Sequence, residues 1–152
     1  VYSNYVVVRH FSTKDLIVSH RLLGDGDYAA LAEFRAVLRK FLAFSEQRAN
    51  EVGLSAQQHQ ALLAIRGAED ARATVGYIAD RLILRPHSAS ELVHRLEKLS
   101  LIERRASTSD RRKSYIVLTE RANTLLAQLS LTHREEIAQM KPLLSDLLDR
   151  FG

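Results

Sequence analysis

The sequence predicts a mainly α-helical fold carrying one small two-stranded β element. Three observations lead there. Apolar residues recur at helical spacing over long stretches near both ends of the chain, as in "DYAALAEFRAVLRKFLAF" and "LLAQLSLTHREEIAQM". Between them lie shorter segments with their own cap residues. Only "LIERRA" and "SYIVL" read as strands, and they flank a polar tip at residues 107 to 113. The 152 residues, 46% hydrophobic and 26% charged, suit one globular domain able to bury a core.

Taken in order, residues 1–24 form an N-terminal extension: "NYVVV" suggests an extended segment and "STKDLIVSHRLLG" a short helix ended by Gly24. The first residue is Val and the only methionine is Met140, which suggests a trimmed chain. A single domain is expected over 25–152. From Asp27, the residues Tyr28, Leu31, Phe34, Val37, Leu38, Phe41, Leu42 and Phe44 predict a long amphipathic helix closing near Gly53. Ser55 with Gln58 three residues on makes a capping box for a second helix, with Gly67 at its C-terminal end. After the polar loop "AEDARA", Thr74 is placed to cap a short third helix, "VGYIADRL".

A fourth helix starts at Pro86, since proline suits a first helical turn and pushes Arg85 into the extended conformation of an N-cap. Ala89, Leu92, Val93, Leu96 and Leu99 make its apolar stripe, with His87, Ser88, Ser90, Glu91, His94, Arg95 and Lys98 on the other side. Two helices joined by a tight turn, the second with a polar and basic outer face, read as a helix-turn-helix. The strand pair follows, and then Thr119 caps a last helix in which Leu125, Leu126, Leu129, His133, Ile137 and Met140 keep helical spacing. Pro142 is expected to end or kink it. The leucine-rich tail "PLLSDLLDRF" needs an apolar partner, either the first long helix or another chain.

The chain has a formal net charge of +4 and a pI near 9.6. Between Arg81 and Lys113 nine lysines and arginines face four acids, an excess of five that is larger than the charge of the whole chain. A solvated basic face is the bland reading of such a run. Concentrated on a helix-turn-helix, it points to a polyanionic partner. At the hairpin tip Asp110 and Arg112 are two apart, so in an extended segment they point the same way and the carboxylate can aim the guanidinium. An exposed pair adds only about 0–1 kcal/mol, so its value lies in aiming Arg112 at a narrow minor groove, with Arg111 and Lys113 beside flanking phosphates.

This order is that of a winged helix-turn-helix inside an α-helical frame. The segment "IADRLILRPHSASELVHRLEKLSLIERRASTSDRRKSYIVLTERA" resembles the multiple-antibiotic-resistance regulator (MarR) family, most closely from Ile78 to Ala122, and the wing carries that family's Asp-x-Arg before a strand and a Leu-Thr. The chain departs from the family pattern at two places: Ile83 replaces the usual turn glycine, and Arg85 the usual acidic or polar N-cap. The resemblance implies a ligand-responsive repressor of double-stranded DNA, with 25–53 and 120–152 as dimerisation helices and 54–119 as the DNA-binding lobe. A two-fold dimer would meet a near-palindromic operator with half-sites about ten base pairs apart.

The expected DNA contacts are Arg85, Pro86, His87, Ser88, Ser90, Glu91, His94, Arg95 and Lys98 from the fourth helix. From the wing they are Arg104, Arg105, Asp110, Arg111, Arg112 and Lys113. Arg85, which cannot accept from helix N–H groups, is assigned to a phosphate. MarR-like proteins commonly bind small aromatic or anionic compounds between the frame and the DNA-binding lobe. The candidates here are His59, Phe34, Phe41, Arg66 and Tyr77, against the bland reading that His59 is a core histidine satisfied by one hydrogen bond and both phenylalanines are core.

Several function classes fall away. No run of about eighteen apolar residues spans a bilayer and no signal peptide is legible, so a cytoplasmic protein is expected. With no cysteine there is no disulfide, thiolate metal cluster or thiol switch. His87 and His94 stand seven apart, too far to share one ion, and no metal or cofactor is expected. No catalytic constellation is present. Two rivals remain: a winged-helix module for protein contacts alone, and a phosphoacceptor helix using His133 in "THREEIAQMKPLL".

Overall fold

A computed structural model describes residues 23–106 and 114–151; the expectations for residues 1–22 and for Asp110, Arg111, Arg112 and Lys113 lie outside the described residues. The elements are α1 (Asp25–Glu51), α2 (Ala56–Arg66), α3 (Val75–Leu82), α4 (Pro86–Lys98), β1 (Ile102–Ala106), β2 (Ser114–Leu118) and α5 (Glu120–Phe151). The mainly helical class with a two-stranded wing is thus as the periodicity indicates. No helix among the described residues is long and apolar enough to cross a membrane.

The helix boundaries follow the cap residues. Gly53, at φ 80°, turns the chain out of α1 in a conformation that glycine adopts without steric cost. Ser55 Oγ accepts from the Gln58 N–H at 3.2 Å and the Gln58 side chain accepts from the Ser55 N–H at 2.8 Å, the reciprocal box that opens α2. Thr74 Oγ1 accepts from the Tyr77 N–H at 3.1 Å and opens α3. Thr119 does two jobs at the head of α5: its Oγ1 accepts from the Ala122 N–H and donates to the Ser100 carbonyl. The second bond ties the exit of the wing to the end of α4.

The core lies where α2, α3 and α4 meet the wing and the head of α5. Leu62, Ile78, Val93, Leu96, Leu101 and Ile116 are its largest fully buried side chains. The wing strands pair antiparallel, with Ile102 opposite Leu118 and Arg104 opposite Ile116. Ala73 adds a one-residue bridge to the far side of β2, its carbonyl accepting from the Ile116 N–H at 2.8 Å. Neither that bridge nor the 3-10 turn at Glu69–Ala71 was expected in "AEDARA", because no periodicity marks an element of so few residues.

Of the two outcomes expected at Pro142, an end of the helix is excluded, since the last helix continues to Phe151. A proline removes one N–H bond to the residue four before it, and the leucines beyond it keep the helix amphipathic enough to go on. Leu99 does not belong to the buried stripe of α4: it is the exposed C-cap, and its carbonyl accepts from Arg121 Nη1 at 3.0 Å.

Candidate nucleic-acid interface

The turn between α3 and α4 sets the geometry. Ile83 adopts the left-handed conformation, φ 55° and ψ 46°, and the chain closes α3 by a bond from the Leu84 N–H to the Ala79 carbonyl at 2.8 Å. That is a Schellman closure, for which glycine is the usual residue. A β-branched residue there costs roughly 1–2 kcal/mol. Ile83 is 93% exposed, so no burial offsets the strain.

Arg85 then stands as the N-cap of α4 in extended backbone with no capping bond from its side chain, and Pro86 takes the first helical position. Ala89, Leu92, Val93 and Leu96 bury the underside. At about 1.5–3 kcal/mol for each fully buried aliphatic side chain, these anchors outweigh any exposed ion pair, worth about 0–1 kcal/mol. The apolar side therefore fixes where α4 sits, and its polar side is left to face outward.

On that side Arg85, Pro86, His87, Ser90, Glu91, His94, Arg95 and Lys98 are exposed, and Ser88 is half-buried. The face is internally organised. His87 Nε2 lies 3.4 Å from a Glu91 carboxylate oxygen. The Ser90 hydroxyl donates to the Pro86 carbonyl at 3.0 Å, leaving its lone pairs free to accept. Arg95 Nε donates to the Glu91 carbonyl at 3.4 Å.

The wing arginines part company. Successive residues of a strand point to opposite faces. Arg104 shares a face with Ile102, which the core buries, and its guanidinium meets Glu97 of α4, with Nε 2.7 Å from Oε1. Arg105, on the other face, lines a cleft together with Arg66 of α2. Glu97 carries no signal in the sequence, because its partner is seven residues away across a turn and a change of element.

The five effector candidates are not gathered at one site. His59 is buried on α2, 2% exposed, and its ring lies 4.9 Å from that of His133 on α5. Phe41 and Phe44 of α1 meet the same His133 ring edge-on at 5.9 and 5.7 Å. His133 Nδ1 donates to the Leu129 carbonyl, which can only accept, so in the neutral ring Nε2 accepts from the Ser45 hydroxyl at 2.7 Å. Burial pushes the His59 imidazole down to about 4, and repulsion from His133 adds to it. This cluster joins the lobe to the frame. Buried with both nitrogens engaged, His133 is unsuited to accept a phosphoryl group. Arg66 lies instead in the cleft with Arg105, Tyr77 packs under its helix neighbour Arg81, and Phe34 is half-buried on α1.

Comparison with known proteins places this arrangement. Residues 52–113, from the end of α1 through the wing tip, match the model of the MarR family. No curated protein matches the chain. AbsC, a MarR family transcriptional regulator from Streptomyces coelicolor, is 24% identical with a TM-score of 0.61, over 84% of this chain and 84% of its own. MepR, a transcription regulator of the Staphylococcus aureus multidrug efflux pump MepA, is 22% identical with a TM-score of 0.67, over 82% of this chain and 98% of its own. MepR in complex with DNA is similar at 21% identity and a TM-score of 0.58, over 78% of this chain and 94% of its own. MepR has also been solved bound to ethidium bromide. Residues 52–113 thus match the MarR family, and the fold of the described residues is similar to that of solved MarR family regulators, a winged helix-turn-helix within a helical frame.

Proposed function

We propose that the chain is a homodimeric, cytoplasmic repressor that reads a near-palindromic operator, and that a small molecule modulates its hold on DNA. One observation carries the reading: α4 is pinned by Leu92, Val93 and Leu96 while a row of hydrogen-bonding and cationic side chains stands exposed on its outer side. In this reading His87, Ser90, Glu91 and His94 meet base edges in the major groove, with half-buried Ser88 contributing less. Arg85, Arg95 and Lys98 meet phosphates. The wing arginines and Lys113 brace the adjacent backbone and minor groove, Asp110 aiming Arg112.

The dimer is supported by apolar side chains that the described fold leaves exposed on both frame helices: Tyr28, Leu31, Leu38 and Leu42 on α1, and Leu131, Ile137, Leu148 and Phe151 on α5. The MepR complexes with DNA and with ethidium bromide support the DNA and effector parts by analogy of fold alone. The repressor assignment rests on the commoner role in the family. The effector reading favours the joint where His59 and Phe41 converge on His133, since a ligand there would change how lobe and frame meet.

Fluorescence anisotropy on a mixed-sequence duplex, repeated across salt concentrations, tests the docking. A dimer neutralising roughly eight to ten phosphates gives log affinity a slope of about −7 to −9 against log salt. A slope near −2 contradicts it and leaves the protein-contact module as the better reading.

A further inference from the structure

We propose that Ile83 is a specificity-determining residue of the DNA contact, its side chain packing on the C5-methyl group of a thymine at the edge of the half-site that α4 enters. The contact rests on the DNA reading above and names a base that it requires. Leu82 and Leu84, on either side of Ile83 in the chain, are partly buried against the core, and the Leu84 N–H donates to the Ala79 carbonyl at 2.8 Å. With both neighbours drawn inward, Ile83 projects outward, 93% exposed, in left-handed backbone at φ 55°. Glycine makes the same turn without strain. Neither the turn nor the core therefore calls for a branched apolar side chain here. Strain kept where the fold gains nothing from it points to a contact made outside the chain.

The surroundings say what makes that contact. Ile83 stands three residues before Pro86, at the N-terminal end of α4, the end of a recognition helix that approaches base edges. Arg81 and Arg85 are exposed two residues to either side, and Asp80 is the only acid among residues 80–86. The Arg81 guanidinium stacks over the Tyr77 ring at 5.7 Å, and among the described residues neither arginine takes part in an ion pair. An apolar group between two such cations suits a polyanion that displays a methyl group. An apolar protein patch would instead have to strip water from both guanidiniums. In the major groove that methyl group belongs to thymine, whereas the other bases present donors and acceptors that lose water under isoleucine and gain no partner. The same side chain thus favours thymine and disfavours the other three bases.

The test uses the full chain and duplexes that it recovers from random DNA, remade with deoxyuridine in place of each thymine in turn. That replacement removes the C5-methyl group and keeps the base pair. One replacement in each half-site should weaken the wild type about fourfold, the worth of one methyl group taken out of water. Ile83→Gly suits the left-handed turn and so keeps the fold. It should bind the thymine duplex about fourfold more weakly per half-site and bind the deoxyuridine duplex as the wild type does. Ile83→Val, which keeps the branched carbon, should still prefer thymine at least about twofold. The proposal alone is overturned if the wild type is indifferent to every replacement, if the preference survives in Ile83→Gly, or if Ile83→Gly weakens both duplexes equally, which is the mark of a residue that only shapes the turn. It falls together with the DNA reading if the wild type binds no duplex in a salt-dependent way, and Ile83 is then left to a protein partner.

Discussion

Glu97 and Arg104 meet as two forks, with Arg104 Nε 2.7 Å from Oε1 and Nη2 3.5 Å from Oε2 of the carboxylate. The pair joins α4 to the first strand of the wing, and His94 Nδ1 stands 4.0 Å from the same carboxylate. Both partners are partly exposed, so its contribution to stability is small, about 0–1 kcal/mol. What it fixes is the angle between the two parts proposed to grip DNA.

Replacing Glu97 by Gln should therefore act on discrimination. Unfolding free energy should change by less than about 1 kcal/mol. Affinity for random duplex should rise, since one acid is lost from a basic face, while the preference for an operator over random duplex narrows several-fold. Competition binding measures both, and an unchanged preference would show that the pair does not position the wing.

Ile83 offers a gain in stability. Ile83→Gly removes a left-handed β-branched residue that costs roughly 1–2 kcal/mol, offset in part by the greater freedom of glycine in the unfolded chain, about 0.5–1 kcal/mol. A rise of up to about 1 kcal/mol is expected in urea unfolding. Ile83→Val, which keeps the branched carbon, should give none. Equal behaviour of the two variants would place the strain elsewhere.

His59 sets an acid limit. Its folded value, about 4, lies below the ordinary 6.5, so the unfolded chain takes up a proton at a pH where the folded protein does not. The stability linked to His59 is complete above pH 6.5 and is lost as pH falls toward 4, about 3 kcal/mol in all at 1.36 kcal/mol per unit. His59→Phe should flatten the fall in stability over that window while leaving stability at pH 7 within about 1 kcal/mol. An identical acid slope in the variant would assign the effect to another group.

The frame should hold two chains together. Sedimentation velocity should give twice the 17.2 kDa chain mass. Leu42→Glu and Leu148→Glu, at positions 48% and 71% exposed, should shift the protein toward the monomer and lower operator affinity, because two half-sites then no longer act as one linked ligand. A wild-type protein that sediments as a single chain at tens of micromolar refutes the dimer.

Features written in local chemistry were legible in the sequence. Ser55 with Gln58, Thr74 and Pro86 mark the starts of α2, α3 and α4 where the structure has them. The sequence shows Ile83 where the family has its turn glycine, and the structure adds that this residue has a positive φ. Features that depend on which distant residues meet were not legible. The two faces of a strand send adjacent Arg104 and Arg105 to different partners, and only the strand register reveals which faces which. Arg66 is an effector candidate beside His59 in the sequence but lines a cleft with Arg105 in the structure, because position along a helix does not say which side faces the frame.

The most direct test of the central claim, that the outer side of α4 reads bases in a two-fold arrangement, is selection of bound sequences from random duplex DNA. An enriched near-palindrome with half-sites about ten base pairs apart is expected. Glu91→Ala and His94→Ala should alter the enriched bases, while Arg85→Ala lowers yield without altering them. Recovery of no enriched sequence, or of the same sequence from all three variants, would contradict it.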